Sequence, residues 1–323
     1  MARKDTSPGG PFTDGLLLLD KQAGGTSHDM VQHARRVTRQ RKMGHSGTLD
    51  PAATGLLVLT LGHATRLTRF LIRAPKVYQG VIRLGAATDT YDAEGSVVAE
   101  VPAEAVAAIT REAVAAVMAR FVGEIEHTPP PYSAKKVGGK KLYELARAGE
   151  DVPLESKQVT VYELVPEGEL THSGARADIA FRLACSSGTY ARSLAHEVGR
   201  ALGTGGHLAA LRRTQVGPFR LEDAVTPAEL ETAAGAGVLP ERGWVPFHDI
   251  PLPFGEIVAD AQQEERIQHG QTVLVREIAG DEGDWVKVIN RRHELIAVGT
   301  IVERIGTAGV GIVQPKIVFG AAG

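Results

Sequence analysis

The chain has 323 residues, 43% of them hydrophobic and 23% charged, with a formal net charge of −2. That is long enough for a sizeable core and for two domains, and the composition excludes a disordered, collagenous or disulfide-stapled chain. The one cysteine, Cys185, excludes an internal disulfide and a multi-cysteine zinc site and reads as a small buried hydrophobe.

The near-neutral average hides an uneven distribution. Residues 1–80 hold twelve Lys or Arg against five Asp or Glu, and residues 134–150 hold five against two. Residues 81–133 and 151–323 are acidic. Such asymmetry suits a polyanion partner and solvated helix faces equally well. Nothing resembles a secretory signal, and the apolar run Leu56–Leu61 is far too short to span a bilayer. The sequence therefore reads as cytoplasmic and free of membrane association.

Residues 1–13 are polar, with Pro and Gly, and read as a loose tail. Gly15–Asp20 is a short apolar run and a buried strand. Thr26 and Asp29 form a helix start signal, and Met30, Ala34 and Val37 follow at helical spacing. His33, Arg35, Arg36, Arg39, Arg41 and Lys42 then supply more cations than a helix needs to fold. Gly44–Gly47 is a turn, Leu56–Leu61 a second buried strand and Val77–Leu84 a third strand. Residues 103–122 have helical spacing. Thr128–Tyr132 (TPPPY) cannot be helix. Lys135–Gly149 reads as a basic loop entering a short helix, Val159–Val165 and Ala177–Cys185 as strands, and Arg192–Leu202 as helix. Residues 233–253 are rich in Gly and Pro and form a candidate linker. Beyond them Thr272–Val275, Trp285–Ile289 and Leu295–Val302 are β-type runs of a small C-terminal domain.

The densest local feature is GHSGTLDPAATG, residues 44–55. Its glycines allow close approach of a ligand to backbone, and Asp50, placed before a proline, is held extended at a turn. Taken alone the segment is as readily a turn with an Asx cap. It is not a phosphate loop, since G-x-x-x-x-G-K-[ST] is absent. Asp89–Gly95 (DTYDAEG) lacks calcium-loop spacing, and the eleven His show no ligand spacing, so no metal site is expected. CSSGTYAR, residues 185–192, places Tyr190 and Arg192 two apart after a turn, a weak signal by itself.

Together these segments resemble the bacterial TruB family of tRNA pseudouridine synthases. Asp20-Lys21 with Gly25-Thr26-Ser27, GHSGTLDPAATGLLVLTLGHATRL, Lys76-Val77-Tyr78 with LGAATDTYDAEG, PPPYSAKKVGGKKLYELARAGE, CSSGTYARSLAHEVGRALG and GGHLAALRRTQVGPF occur in the family's order. The likeness is strong over about residues 14–225 and weaker over 251–320. Gln22 stands where Pro is usual and Ser187 where Lys is common; neither position carries the expected chemistry.

The resemblance implies an α+β fold: a catalytic domain (14–250) on a mixed, mainly antiparallel sheet with flanking helices, preceded by the tail (1–13) and followed by a β-rich PUA-like RNA-binding domain (251–323). It implies isomerisation of uridine 55 in the T-loop of tRNA to pseudouridine. Asp50, Tyr190 and Arg192 are the implied catalytic residues, and His45, Tyr78, Lys21 and Leu208 the substrate-binding ones. Arg192 is the family's candidate partner for the Asp50 carboxylate, Tyr78 the face that receives the flipped base, and His45 the residue that replaces it in the T-loop. No cofactor or metal is called for. The expected partner is the T-arm of tRNA, with no obligatory protein partner and a monomeric chain. The cations of residues 33–42, 66–73 and 135–147 would hold phosphates. The competing reading is a tRNA-binding or folding protein without turnover, a role that could coexist with catalysis. A guide-RNA-dependent relative and a metabolic enzyme with a phosphate loop rank lower.

Overall fold

The computed structural model describes residues 10–132, 136–137, 140–141, 155–306 and 309–320. The basic segment expected at 135–149 lies largely outside them. The strands, in chain order, begin with β1 (Gly15–Lys21), β2 (Met43–His45), β3 (Thr54–Leu61) and β4 (Lys76–Leu84). A hairpin, β5 (Ala86–Thr88) and β6 (Val97–Glu100), stands apart from the main sheet, as does the short pair β8 (Lys136–Val137) and β9 (Lys140–Lys141). Then come β7 (Gly123–His127), β10 (Lys157–Ser173), β11 (Arg176–Cys185), β12 (Gly206–Val216), β13 (Phe219–Arg220) and β14 (Trp244–Pro246). The large sheet runs β14-β1-β3-β12-β4-β11-β10-β7, with β2 added to β3 and β13 to β12. Its pairs are antiparallel except β12 with β3, which meet in parallel at Arg212↔Thr54 and Arg213↔Gly55. The sheet is thus mixed and mainly antiparallel, within an α+β fold.

The unbroken apolar runs in β1 and β3 follow from burial on both faces. Leu16, Leu18, Leu56 and Val58 share one cluster with Leu295, Val298, Ile317 and Phe319 of the C-terminal sheet. Leu17, Leu19, Leu57 and Leu59 face the other way, toward helix α1 (Ser27–Thr38) and a helix at Pro227–Gly235. Each such leucine stabilises the fold by about 1.5–3 kcal/mol. β11, covered on one face only, alternates strictly, burying Ala177, Ile179, Phe181, Leu183 and Cys185. Cys185 is 1% exposed, and burial pushes its thiol up to about 11.

Thr26 and Asp29 close a full capping box: Asp29 N donates to Thr26 Oγ1 at 3.1 Å and Thr26 N to Asp29 Oδ2 at 2.8 Å. The buried stripe of α1 is Ser27, Val31, Ala34 and Thr38, one position round from the expected one; Met30 and Val37 pack at its margin. After α2 (Thr68–Arg73), residues 103–122 form two helices instead of one, α3 (Ala103–Ala107) and α4 (Arg111–Ala119). The break comes at Thr110, whose hydroxyl caps α4 by accepting from Ala113 N. Helix α5 (Ala191–Ala201) lays Leu194, Ala195 and Val198 over Ile82, Leu183 and Leu208.

The Gly- and Pro-rich stretch 233–253 differs from a bare tether. It contains the end of α6 (Pro227–Gly235) and then β14, which pairs with β1 from Gly15↔Pro246 to Leu17↔Trp244. The C-terminal sheet has the order β15-β17-β18-β19-β16 (Glu256–Ala259, Trp285–Asn290, Leu295–Ile305, Val310–Val318 and Val273–Val275) and carries α7 (Ala261–Gln268). Arg66 donates to Val318 O and stacks over Phe319, and Arg69 lies 4.6 Å from the Trp285 ring centre. These two arginines, expected to hold phosphates, thus join the two sheets. Among the described residues no helix is long and apolar enough to cross a membrane.

Candidate active site

Residues 46–53 leave the β2–β3 hairpin as an irregular loop whose backbone needs partners from elsewhere. Three buried side chains supply them. Ser27, 1% exposed, accepts from Leu49 N at 2.8 Å and donates to Leu49 O at 3.0 Å. Lys21, fully buried, donates to Gln22 O and Pro51 O at 3.0 Å each and to Ala53 O at 2.7 Å. Arg213, 1% exposed, donates to Leu56 O at 2.8 Å and Gly47 O at 3.1 Å. Gly55 has φ of +100°, and a Cβ there would stand 2.3 Å from Arg213 O. With its backbone fixed this way, the loop presents Asp50 at its tip, 42% exposed in its side chain.

Asp50 opens on a cavity of about 450 Å³, within the usual range for ligand pockets. Tyr78 of β4, Leu211 of β12, Ile72, Lys157 of β10, and Tyr190 and Arg192 at the start of α5 complete its wall. Arg192, only 8% exposed, sits at the centre of the charges. Its Nε lies 3.0 Å from Asp50 Oδ2, an ion-pair contact off the line needed for a hydrogen bond, and its Nη2 donates to Asp50 Oδ1 at 3.4 Å. Its Nη1 donates to Asp92 Oδ2 and Thr90 O, and its Nη2 to Tyr132 O, all at 3.1 Å. One guanidinium therefore serves two carboxylates.

Asp92 belongs to the 89–95 turn. Its Oδ1 accepts from Thr90 Oγ1 at 2.6 Å and from Glu94 N at 3.1 Å. Tyr91 beside it has φ of +65°, a costly value for a non-glycine. Its ring stacks on His196 with centroids 3.9 Å apart. Burial raises the Tyr78 phenol, so the ring facing the cavity stays neutral. Burial and the nearby Arg213 lower the Lys76 ammonium to about 8. Lys76 donates to Ala74 O at 2.7 Å and to Ile72 O.

A model described as "TruB family pseudouridylate synthase (N terminal domain)" matches residues 35–191, and one for the tRNA pseudouridylate synthase B C-terminal domain matches residues 192–237. The tRNA pseudouridine synthase B of Ralstonia pickettii strain 12J is 42% identical over 307 residues, covering 94% of this chain and 93% of that protein. The chain belongs to the TruB family. The protein of the same name from Leifsonia xyli is 43% identical over 287 residues, covering 89% of this chain and 92% of the relative. A solved Cbf5-Nop10-Gar1 complex contains a chain at TM-score 0.70 and 27% identity, spanning 94% of this chain and 85% of that one. A solved H/ACA RNP bound to a substrate RNA containing 2′-deoxyuridine gives TM-score 0.69 at 25% identity, spanning 95% and 85%.

Of the residues expected at the TruB site, Asp50, Tyr78, Tyr190 and Arg192 line one cavity. His45 lies at the root of the loop, where its Nδ1 accepts from Gly47 N at 3.3 Å; burial lowers its pKa. Lys21 is closed to a ligand, because its ammonium is spent on backbone carbonyls. Burial lowers its pKa while the Asp50 charge opposes that shift. Leu208 lies off this cavity. It is 5% exposed beneath α5, and Leu211 is the leucine on the cavity wall. A bulge between Leu208 and Ala210 keeps both leucines on the Tyr78 face, so the LAAL pattern alone does not select between them. Asp92 was not expected at the site; its segment DTYDAEG was read against calcium spacing and counted among the family's motifs, with no role given to the carboxylate.

Proposed function

We propose that this chain isomerises uridine 55 in the T-loop of tRNA to pseudouridine. The observation that carries the reading is the Asp50–Arg192 ion pair, 3.0 Å apart, at an open cavity walled by Tyr78 and Tyr190. The target nucleotide flips out of the T-loop into this cavity, and the unstacking cost of a few kcal/mol is recovered there. The Tyr78 ring receives the base, since a stacked base contributes about 1–3 kcal/mol. His45, at the root of the same loop, enters the T-loop in its place. Leu211 packs against the bound nucleotide.

Two routes are open to Asp50. Its carboxylate attacks C1′, the N1–C1′ electron pair leaves with uracil, and the turned base expels the carboxylate through C5. Alternatively it removes the C2′ proton to give a glycal, to which C5 adds as the proton returns. In both, C5 loses a proton and N1 gains one, so the reaction is an isomerisation that consumes no redox cofactor and no metal. Arg192 holds the carboxylate ionised and aimed, with Asp92 fixing the guanidinium from behind. Tyr190 stands where the C5 proton leaves. The exposed Arg36, Arg39, Arg41 and Lys42 at and after the end of α1 hold T-arm phosphates. Residues 251–323 form a PUA-like RNA-binding unit beside the catalytic unit 14–250, and the protein acts as a cytoplasmic monomer without protein partners.

The test uses unmodified tRNA with the wild-type chain and with Asp50→Asn, and maps pseudouridine by carbodiimide-dependent primer extension. A T-loop stop is expected with the wild type. Asp50→Asn should bind tRNA equally well and give no stop. A wild type that binds tRNA without producing the stop would leave the competing reading, a binding protein without turnover.

A further inference from the structure

The end of β7 is tied to the start of α5 by a set of side-chain contacts. His127, the last residue of β7, is 4% exposed, and its Nε2 accepts from Tyr190 N at 2.9 Å. Helix α5 has no side-chain cap of its own, and Tyr190 is its cap residue. The imidazole lies nearly parallel to the Tyr190 ring, 16° off at 6.1 Å between centres. Lys157 is the direct cross-strand partner of His127 on β10, and its Nζ lies 5.5 Å from the centre of the same tyrosine ring. The chain after His127 adds two further ties to α5: Ser193 Oγ donates to Thr128 O at 2.8 Å, and Arg192 Nη2 to Tyr132 O.

We propose that the cross-strand pair His127–Lys157 is a positioning device that sets the Tyr190 ring and, through the first turn of α5, the aim of Arg192 on Asp50. The inference rests on the assignment of Tyr190 and Arg192 to the reaction. His127 can accept from Tyr190 N only while Nε2 is unprotonated, so the imidazole works as the neutral Nδ1–H tautomer. Burial first, and the Lys157 ammonium second, push its pKa down to about 4. Glu197 of α5 pulls the other way. Arg200 of α5, Tyr91 of the 89–95 turn and Glu126 on β7 line the small cavity behind the ring. Lys157 thus has two tasks: it fixes one face of Tyr190 and keeps its neighbour in the accepting state. Arg192 is held from the other side by Asp92, so the device adjusts the ion pair without creating it.

The experiment compares wild type, His127→Leu, His127→Gln, Lys157→Gln and the Lys157→Gln/His127→Gln double variant. kcat and KM on tRNA are measured from pH 3.5 to 8, a window that brackets the His127 pKa of about 4, and His127 is titrated by NMR. His127→Leu should lower kcat about tenfold with KM within about threefold of wild type, and His127→Gln, which restores an acceptor, should recover most of that loss. Lys157→Gln should move the His127 titration upward by at least about 0.3 pH unit and shift the acid limb of kcat with it. In the double variant that shift should vanish. Three results would each overturn the proposal: equal kcat for His127→Leu and His127→Gln, an unmoved His127 titration in Lys157→Gln, or an acid-limb shift that persists in the double variant and so belongs to a carboxylate. The NMR arm reads the pair whether or not the tRNA reaction occurs, so a failed function assignment would show as an inactive wild type with a normal titration response.

Discussion

Replacing Arg192 with Lys or Met separates what its charge does from what its shape does. Lysine keeps the positive charge but offers one nitrogen in place of a planar fork. In the native site the fork meets both oxygens of Asp50, one oxygen of Asp92 and two backbone carbonyls. An ammonium cannot reach both carboxylates, so Arg192→Lys loses at least one charge-assisted contact to Asp50. Such a contact contributes about 1.5–3 kcal/mol, or roughly 10- to 150-fold in kcat if it aims the carboxylate. Arg192→Met also strands Asp92, whose side chain is 15% exposed. Breaking a buried pair on one side costs about 3–5 kcal/mol. Asp50, at 42%, adds little to stability because solvent screens it. The assay pairs single-turnover kinetics at saturating tRNA with urea unfolding. A Lys variant within about threefold of wild-type kcat would refute the aiming role. A Met variant as stable as the Lys variant would refute the buried Asp92 pair.

The remaining predictions use other parts of the same site. Tyr78→Phe should keep more activity than Tyr78→Leu, because stacking needs the ring and the raised phenol carries no charge; equal losses in single-turnover rate would argue against stacking. Gly55→Ala should destabilise the fold by about 2–4 kcal/mol in urea unfolding, since φ is unsuited to alanine and the obstructing atom is backbone rather than a movable side chain. Stability should fall as pH drops from about 6.5 to about 4. In that window the unfolded chain protonates His127 and the native chain does not, so the unfolded state binds the extra proton. The change from this group is about 3 kcal/mol, and a His127→Gln variant should unfold with a flatter dependence over the same window.

Much of the fold was legible because its pattern is local. Alternation in β11 and continuous apolar runs in β1 and β3 distinguish a sheet covered on one face from one covered on both, which the two clusters around β1 and β3 bear out. Thr26 with Asp29 specified a helix start to the residue. What escaped depended on contacts distant in sequence. Asp92 meets Arg192 across 100 residues, and nothing within DTYDAEG says which cation it will face. Trp244–Pro246 lies in a stretch whose Gly and Pro content suggests a linker, and only the free edge of β1 makes it a strand. The helix expected at 103–122 split because the Thr110 hydroxyl offered a cap that apolar spacing does not register.

The cations of the family motifs carry a similar lesson. Lys21, Lys76 and Arg213 stand in or beside motifs expected to contact RNA, and each is at least nine-tenths buried. All three donate to backbone carbonyls; Lys21 and Arg213 thereby hold Gly47, Pro51 and Ala53 of the loop around Asp50, and Lys76 holds Ile72 and Ala74 beside the cavity. A loop that must place a carboxylate at its tip cannot also complete a regular hydrogen-bond ladder, so its carbonyls need donors from elsewhere. Long cationic side chains reach them from neighbouring strands, and their charge also favours an ionised carboxylate nearby. The demand for rigidity at Asp50 and the demand for positive charge around it are therefore met by the same residues. Arg36, Arg39, Arg41 and Lys42, proposed above to hold phosphates, are exposed instead and engage neither the loop nor the C-terminal sheet among the described contacts.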